Sequence, residues 1–125
     1  MSADNVFPLF LKLEGRSVLV VGSSNVVESK IPALLEAGAK VTLISEGDFP
    51  SLQPGSVQIE HREFRSADLD GQWYVVAGAN AELNEVIATE CEERQIFVNV
   101  VDDRKNATAY LGSVIRRDGY LIALS

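Results

Sequence analysis

The chain has 125 residues, 46% of them hydrophobic, with 18 acidic against 11 basic side chains and a net charge of −7. One domain of this length buries a real core, hiding roughly two-thirds of its unfolded surface. The acidic balance argues against nucleic acid or anionic membrane as partners, and no apolar run approaches the ~18 residues of a membrane span. The opening MSADNVFPLF lacks the basic start of a signal peptide. Cys91 is the single cysteine, so no internal disulfide and no cysteine zinc cluster can form, and the expected location is the cytoplasm.

Strand and helix signals alternate along the chain. Residues 16–21 form a strand with little polar alternation, as expected when both faces are covered. Residues 25–37 are helical, with Val26, Val27, Ile31, Leu34 and Leu35 as an apolar stripe and Gly38 as the stop. Pro32 falls inside that stripe, where it is tolerated best if the helix begins near Ser29. A second strand is predicted over 41–45, a loop over 47–56, and a more exposed strand over 57–64. Residues 73–77 (WYVVA) give another buried strand. Residues 81–94 are helical, with Leu83, Val86, Ile87 and Cys91 facing inward, and 97–101 form a further strand. The tail holds two strands, 111–115 and 120–124, around the turn signal Asp118-Gly119. This β-α-β order implies a mainly parallel sheet with right-handed crossovers.

Three stretches could carry chemistry. The first is SVLVVGSSNVV, residues 17–27, a strand running through Gly22 into a helix. A dinucleotide-binding unit places G-x-G-x-x-G/A here, with the pyrophosphate on the backbone amides at the helix start. This chain supplies Gly22, Ser24 and Val27 at those three positions, so only the first glycine is present. Ser23 and Ser24 add hydroxyl donors, but Ser24 places a side chain where the backbone normally approaches the phosphates, and Val27 in place of Gly or Ala pushes the helix away from the sheet. The segment reads either as a nucleotide loop or as a structural turn. The second is Glu46, ending the second strand about 20 residues beyond Gly22, the spacing at which an acidic group bonds the adenosine ribose. A carboxylate there favours NAD over NADP; the competing reading is a solvated loop glutamate. Asp48 is a weaker candidate for the same role. The third is Asn99-Val100-Val101-Asp102-Asp103, where Asp102 leaves a buried strand at the edge used by ligands in open α/β sheets. Asp102 reads as a general acid/base or as a helix-capping or turn aspartate. His61 has no second histidine to share a metal and reads as surface, Cys91 as inert core, and Trp73 and Tyr74 as packing residues.

Across nearly the whole chain, from about Phe7 to Ser125, these stretches resemble the N-terminal NAD-binding module of siroheme synthase, in the precorrin-2 dehydrogenase/sirohydrochlorin ferrochelatase family. The carriers are FPLFLKLEGRSVLVVG, SK followed by LLEAGAKVT, REF…LDG…VVA, AELN, IFVNVVDD and RRDGYLIALS. The first and the fifth are the most specific. The resemblance implies NAD-dependent oxidation of precorrin-2 to sirohydrochlorin, followed in some members by Fe²⁺ insertion at the same site. It implies that Asp102 is the catalytic aspartate, that Gly22 is the first phosphate-loop glycine, and that Asn99 and Val101 line the cleft. Asn80 and Asn84 fall in a segment near the cofactor. Departures cluster at the cofactor site. Gly22-Ser23-Ser24 stands where the family has three glycines, Val27 where it has a small residue, and Ser29-Lys30 where it has Arg-Lys. Ala79 replaces a threonine in a loop one residue shorter, and Gly112 replaces a proline. The family also continues past the position of Ser125 into helices that complete its dimer and tetrapyrrole cleft.

The expectation is one α/β domain over residues 1–125, a Rossmann-like three-layer fold with a mainly parallel sheet and a C-terminal β-hairpin, 111–125, as a candidate homodimer interface. NAD is expected over Gly22, Ser23, Ser24, Asn25 and Val26, with Glu46 on the ribose, Asn80 and Asn84 beside it, Asp102 as acid/base and a tetrapyrrole as substrate. No metal, nucleic acid or membrane partner is expected. The rival is a non-catalytic or regulatory relative that keeps the scaffold and has a degenerate cofactor site.

Overall fold

Two runs of buried residues, Val18–Val21 and Tyr74–Ala77, aliphatic but for Tyr74, form the centre of the sheet. In a computed structural model that describes residues 7, 9–22, 25–47, 55, 57–101, 113–117 and 120–124, they belong to strands β1 (Ser17–Gly22) and β4 (Tyr74–Gly78). The flanking strands are β2 (Lys40–Ser45), β3 (Gln58–His61) and β5 (Phe97–Val100). The five strands lie in the order β3-β2-β1-β4-β5 and every pairing is parallel. Helices α1 (Asn25–Glu36) and α2 (Ala81–Arg94) carry the crossovers. Strands β6 (Ser113–Arg117) and β7 (Tyr120–Leu124) pair antiparallel in a separate two-stranded sheet.

The sheet separates two apolar layers, as side chains alternate across it. On one face Val18, Val20, Val41, Leu43, Tyr74 and Val76 pack with Ile31 and Leu34 of α1. On the other Leu19, Val21, Ile44, Val75, Ala77, Val98 and Val100 pack with Ile87, Ala88 and Cys91 of α2 and with Leu69. The three-layer α/β fold read from the sequence is therefore the observed one.

Several details differ from the sequence reading. Helix α1 starts at Asn25, so Pro32 sits in its interior and cannot donate to the carbonyl four residues back. The pattern over 57–64 yields only four strand residues. The chain then turns through a short 3-10 helix, Ser66–Leu69, that no apolar period announces. Val86 is 47% exposed, and the polar Asn84 takes a place on the inward face of α2 instead. Trp73 is 47% exposed, with the Arg16 guanidinium stacked 3.7 Å from its ring centroid. Tyr74 is buried, and desolvation pushes its hydroxyl pKa upward.

Candidate functional site

Strand order places the site. β1 has β2 on one side and β4 on the other, so the crossovers through α1 and from β3 to β4 diverge at the β1–β4 boundary. Ligands of open α/β sheets bind beyond the carboxyl ends of the strands at such a switch point. A cleft of about 610 Å3 opens there, lined by Val21, Gly22, Ile44, Ser45, Glu46, Arg62, Glu63, Phe64, Gly78, Ala79, Asn80 and Leu83. A second concavity, about 530 Å3, lies at the opposite ends of β4 and β5, between Trp73, Arg94 and Phe97, remote from the switch point.

The floor of the cleft is bare backbone. Gly22 and Gly78 are register partners on β1 and β4. Gly22 adopts φ +148°, a region open in practice to glycine alone. This is the feature that fits a dinucleotide: the two central strands end in glycine side by side, and the twelve-residue α1 begins three residues after Gly22. Gly78 lines the cleft beside Gly22, yet it belongs to no glycine spacing rule and only the strand register reveals it.

Glu46 follows β2 directly, is exposed and lines the cleft. Buried Ser45 orders the same turn: its Oγ accepts the Gly47 amide at 3.0 Å. Asn80 is the N-cap of α2, its Oδ1 accepting the Leu83 amide at 2.9 Å, and it lines the opposite wall. Asn84 stands behind that wall. It is 7% exposed, its Nδ2 donating to the Ala79 carbonyl at 3.2 Å and its Oδ1 accepting the Ala79 amide at 2.9 Å. Its visible role is to clamp the loop between β4 and α2, with Ala79 and Asn80 presented to the cleft. Asn25 and Val26 open α1. Ser23, Ser24 and Asp102 lie outside the described residues. The residue before Asp102, Val101, donates its amide to the Ala77 carbonyl at 2.9 Å, so the chain leaves β5 at the rim of this crevice. Asn99 is buried on β5.

The third wall was not anticipated. Arg62 follows β3, beside the residue that follows β2, because Ser45 and His61 are register partners. Its Nη1 and Nη2 donate to Asp68 Oδ2 and Oδ1 at 2.9 and 2.7 Å, and Nη1 also donates to the Glu63 carbonyl at 3.0 Å. Asp68 further accepts the Arg65 amide at 2.8 Å. The Arg62 fork holds the Asp68 carboxyl below the usual carboxylate range, and Asp68 in turn raises the guanidinium. The lock sets Arg62, Glu63 and Phe64 along the cleft, with Phe64 packed partly into the core beneath α2. The REF stretch was visible in the sequence only as part of a family resemblance; its ion pair depends on the 3-10 turn. Cys91 is wholly buried, and burial pushes its thiol up to about 12, which suits core packing. His61 is exposed. Among the described residues no cluster of three metal-ligating side chains occurs, and no helix is long and apolar enough to cross a membrane.

Comparison with known proteins agrees with this geometry. A family model described as "Putative NAD(P)-binding" matches residues 9–113. Siroheme synthase 1 of Aeromonas salmonicida (strain A449) is 36% identical over 123 residues, which cover 94% of this chain and 26% of that protein. The siroheme synthase of Methylobacillus flagellatus is 37% identical over 123 residues, again covering 94% and 26%. The chain thus spans about a quarter of the length of these curated relatives. Among solved structures, "SirC, precorrin-2 dehydrogenase" superposes with a TM-score of 0.77 at 21% identity, over 96% of this chain and 61% of that one, a likeness of fold. The chain belongs to the NAD(P)-binding family, as a homologue of the N-terminal module of siroheme synthase.

Proposed function

We propose that this chain is the NAD-binding part of a precorrin-2 dehydrogenase of siroheme biosynthesis, oxidising precorrin-2 to sirohydrochlorin. The observation that carries the reading is the glycine-floored crevice at the switch point, with Glu46 at the end of β2. Gly22 and the start of α1 would hold the diphosphate, with Ser23, Ser24, Asn25 and Val26 around it. Glu46 would accept the adenosine ribose hydroxyls, a contact that favours NAD over NADP. Asn80 would line the wall that Asn84 stabilises. When bound, NAD⁺ supplies the hydride acceptor. Asp102, one residue past the rim position Val101, would take the proton that the tetrapyrrole loses as hydride departs. The chain is read as a single domain, with the β6–β7 hairpin pairing two copies in a cytoplasmic homodimer. Ferrochelatase activity at Asp102 belongs to the same proposal.

A second reading rests on Ser24 and Val27, which stand at the two motif positions that bring backbone and helix closest to a diphosphate. On that reading the scaffold serves binding, assembly or nucleotide sensing without turnover. Thermal shift with NAD⁺ separates the possibilities. A ligand at 100 times its dissociation constant adds about 2.7 kcal/mol of stability. Absence of a shift with millimolar NAD⁺ and NADH refutes the cofactor site. A shift without conversion of precorrin-2, followed by absorbance, favours the sensing module. Conversion that Asp102→Asn abolishes while the shift persists supports the dehydrogenase.

A further inference from the structure

We infer that Asp68 is a specificity-determining residue: by holding Arg62 in a two-pronged ion pair, it withholds the one cation among the described residues lining the cleft and so sets the chain against 2′-phosphorylated dinucleotides. This rests on the nucleotide reading above and goes beyond it. Glu46 and Arg62 follow the register partners Ser45 and His61 on neighbouring strands and line one cleft. An arginine near the ribose is what accommodates the 2′-phosphate of NADP in folds of this kind. Here that position is filled, but the guanidinium is spent. Asp68 takes both of its terminal nitrogens, at 2.9 and 2.7 Å, the Glu63 carbonyl takes a further donor, and Glu60 lies 3.7 Å from Nε. The fork that matches a carboxylate bidentately is the same fork that would match a phosphate. Asp68 is itself anchored through the Arg65 amide at 2.8 Å, so the carboxylate stays in place and an arginine that swings towards the cleft forfeits both contacts to it. A 2′-phosphate entering this end would meet Glu46 and a compensated cation; an unesterified ribose would meet only an acceptor for its hydroxyls.

Asp68→Asn tests this, since the amide oxygen can still accept the Arg65 amide while the charge that holds Arg62 is gone. Dissociation constants for NAD⁺ and NADP⁺, and for the fragments ADP and adenosine 2′,5′-bisphosphate, are measured on the full chain by calorimetry. The expected result is an NADP⁺/NAD⁺ affinity ratio about tenfold higher in Asp68→Asn than in the unaltered protein, the equivalent of about 1.4 kcal/mol. The gain should fall as salt rises and vanish when Arg62→Gln is added, neither of which a merely structural role for Asp68 would produce. Arg62→Lys is a second route: lysine cannot form the fork, and the ratio should move in the same direction. An unchanged ratio in both variants, or equal weakening of both dinucleotides, overturns the inference while NAD⁺ binding to the unaltered protein stands. Failure of the unaltered protein to bind NAD⁺, NADP⁺ or ADP overturns the nucleotide reading and this inference with it.

Discussion

Asn84 offers a direct test of how the cleft wall is built. Its amide makes two hydrogen bonds to Ala79, one in each direction, from a position 7% exposed on the first turns of α2. Asn84→Leu preserves much of the volume but removes both bonds, leaving the Ala79 amide and carbonyl without those partners. A stranded buried polar group costs about 1–3 kcal/mol. Ala79 is half-buried, so water compensates in part, and the low end applies: about 2 kcal/mol for the two groups together. With an unfolding entropy of about 2.1 cal/mol/K per residue, that loss lowers the melting temperature by about 8 °C.

Asn84→Asp sharpens the test. The carboxylate still accepts from the Ala79 amide, but it sets a second acceptor against the Ala79 carbonyl. Protonation restores a donor, so the folded-state pKa of the new carboxyl rises above its unfolded value. A raised pKa contributes stability below the unfolded value, about 3.9, that is lost as pH climbs through the folded value. Asn84→Asp should therefore lie closest to the unaltered protein below pH 4 and furthest from it near pH 7, by calorimetric or urea unfolding at each pH. Asn84→Leu should show no such convergence. If Asn84→Leu melts within about 2 °C of the unaltered protein, less than the shift expected of even 1 kcal/mol in a domain this size, the loop is not held by this clamp.

Pro32→Ala should stabilise the protein by about 1–2 kcal/mol in urea unfolding. It restores a donor inside α1 worth up to about 3 kcal/mol, offset by up to about 1 kcal/mol of regained unfolded-state freedom; a loss of stability would show that the proline is favoured where it stands. The Asp68 carboxyl, depressed first by the Arg62 fork, contributes stability that is present above its unfolded pKa and lost as pH falls through the lower folded value. The stability gap between the unaltered protein and Asp68→Asn should thus hold steady from pH 7 to 5 and shrink below about pH 4. A gap of the same size at pH 2.5 would mean that the ion pair is not its source.

The sheet was legible because its strands are continuous apolar runs bounded by glycine or polar turns, and α2 because Leu83, Ile87 and Cys91 recur at helical spacing. Phase was harder to read. Hydrophobicity alone puts Val86 inside and says nothing for Asn84, whose buried amide is satisfied by the Ala79 amide and carbonyl in a neighbouring loop. Pro32 argues for a late start to α1, but packing of Ile31 and Leu34 against the sheet outweighs the lost hydrogen bond. At the site, Glu46 was legible from its distance to Gly22. Arg62 and Gly78 were not: one is defined by an ion pair formed across a 3-10 turn, the other by strand register.

The layout of charge around the cleft also favours one direction for a bound dinucleotide. The β2–β3 side carries Glu46, Glu63 and an arginine already matched by Asp68. The β1 side offers glycine backbone and the amino end of α1, where helix dipoles concentrate positive potential. Two like unit charges 5 Å apart near a protein surface repel by about 3 kcal/mol at an effective dielectric of 20. A diphosphate placed against Glu46 would meet that cost, whereas one placed over Gly22 would lie towards the amino end of α1. The ribose, uncharged and rich in hydroxyls, is the part of the ligand that suits the acidic side. On the proposed binding mode the adenosine lies towards β2 and β3 and the nicotinamide end towards β4 and β5, the side on which Asp102 would act. On that proposal, charge at one end of the crevice would select which end of the cofactor reaches the residue proposed to move the proton.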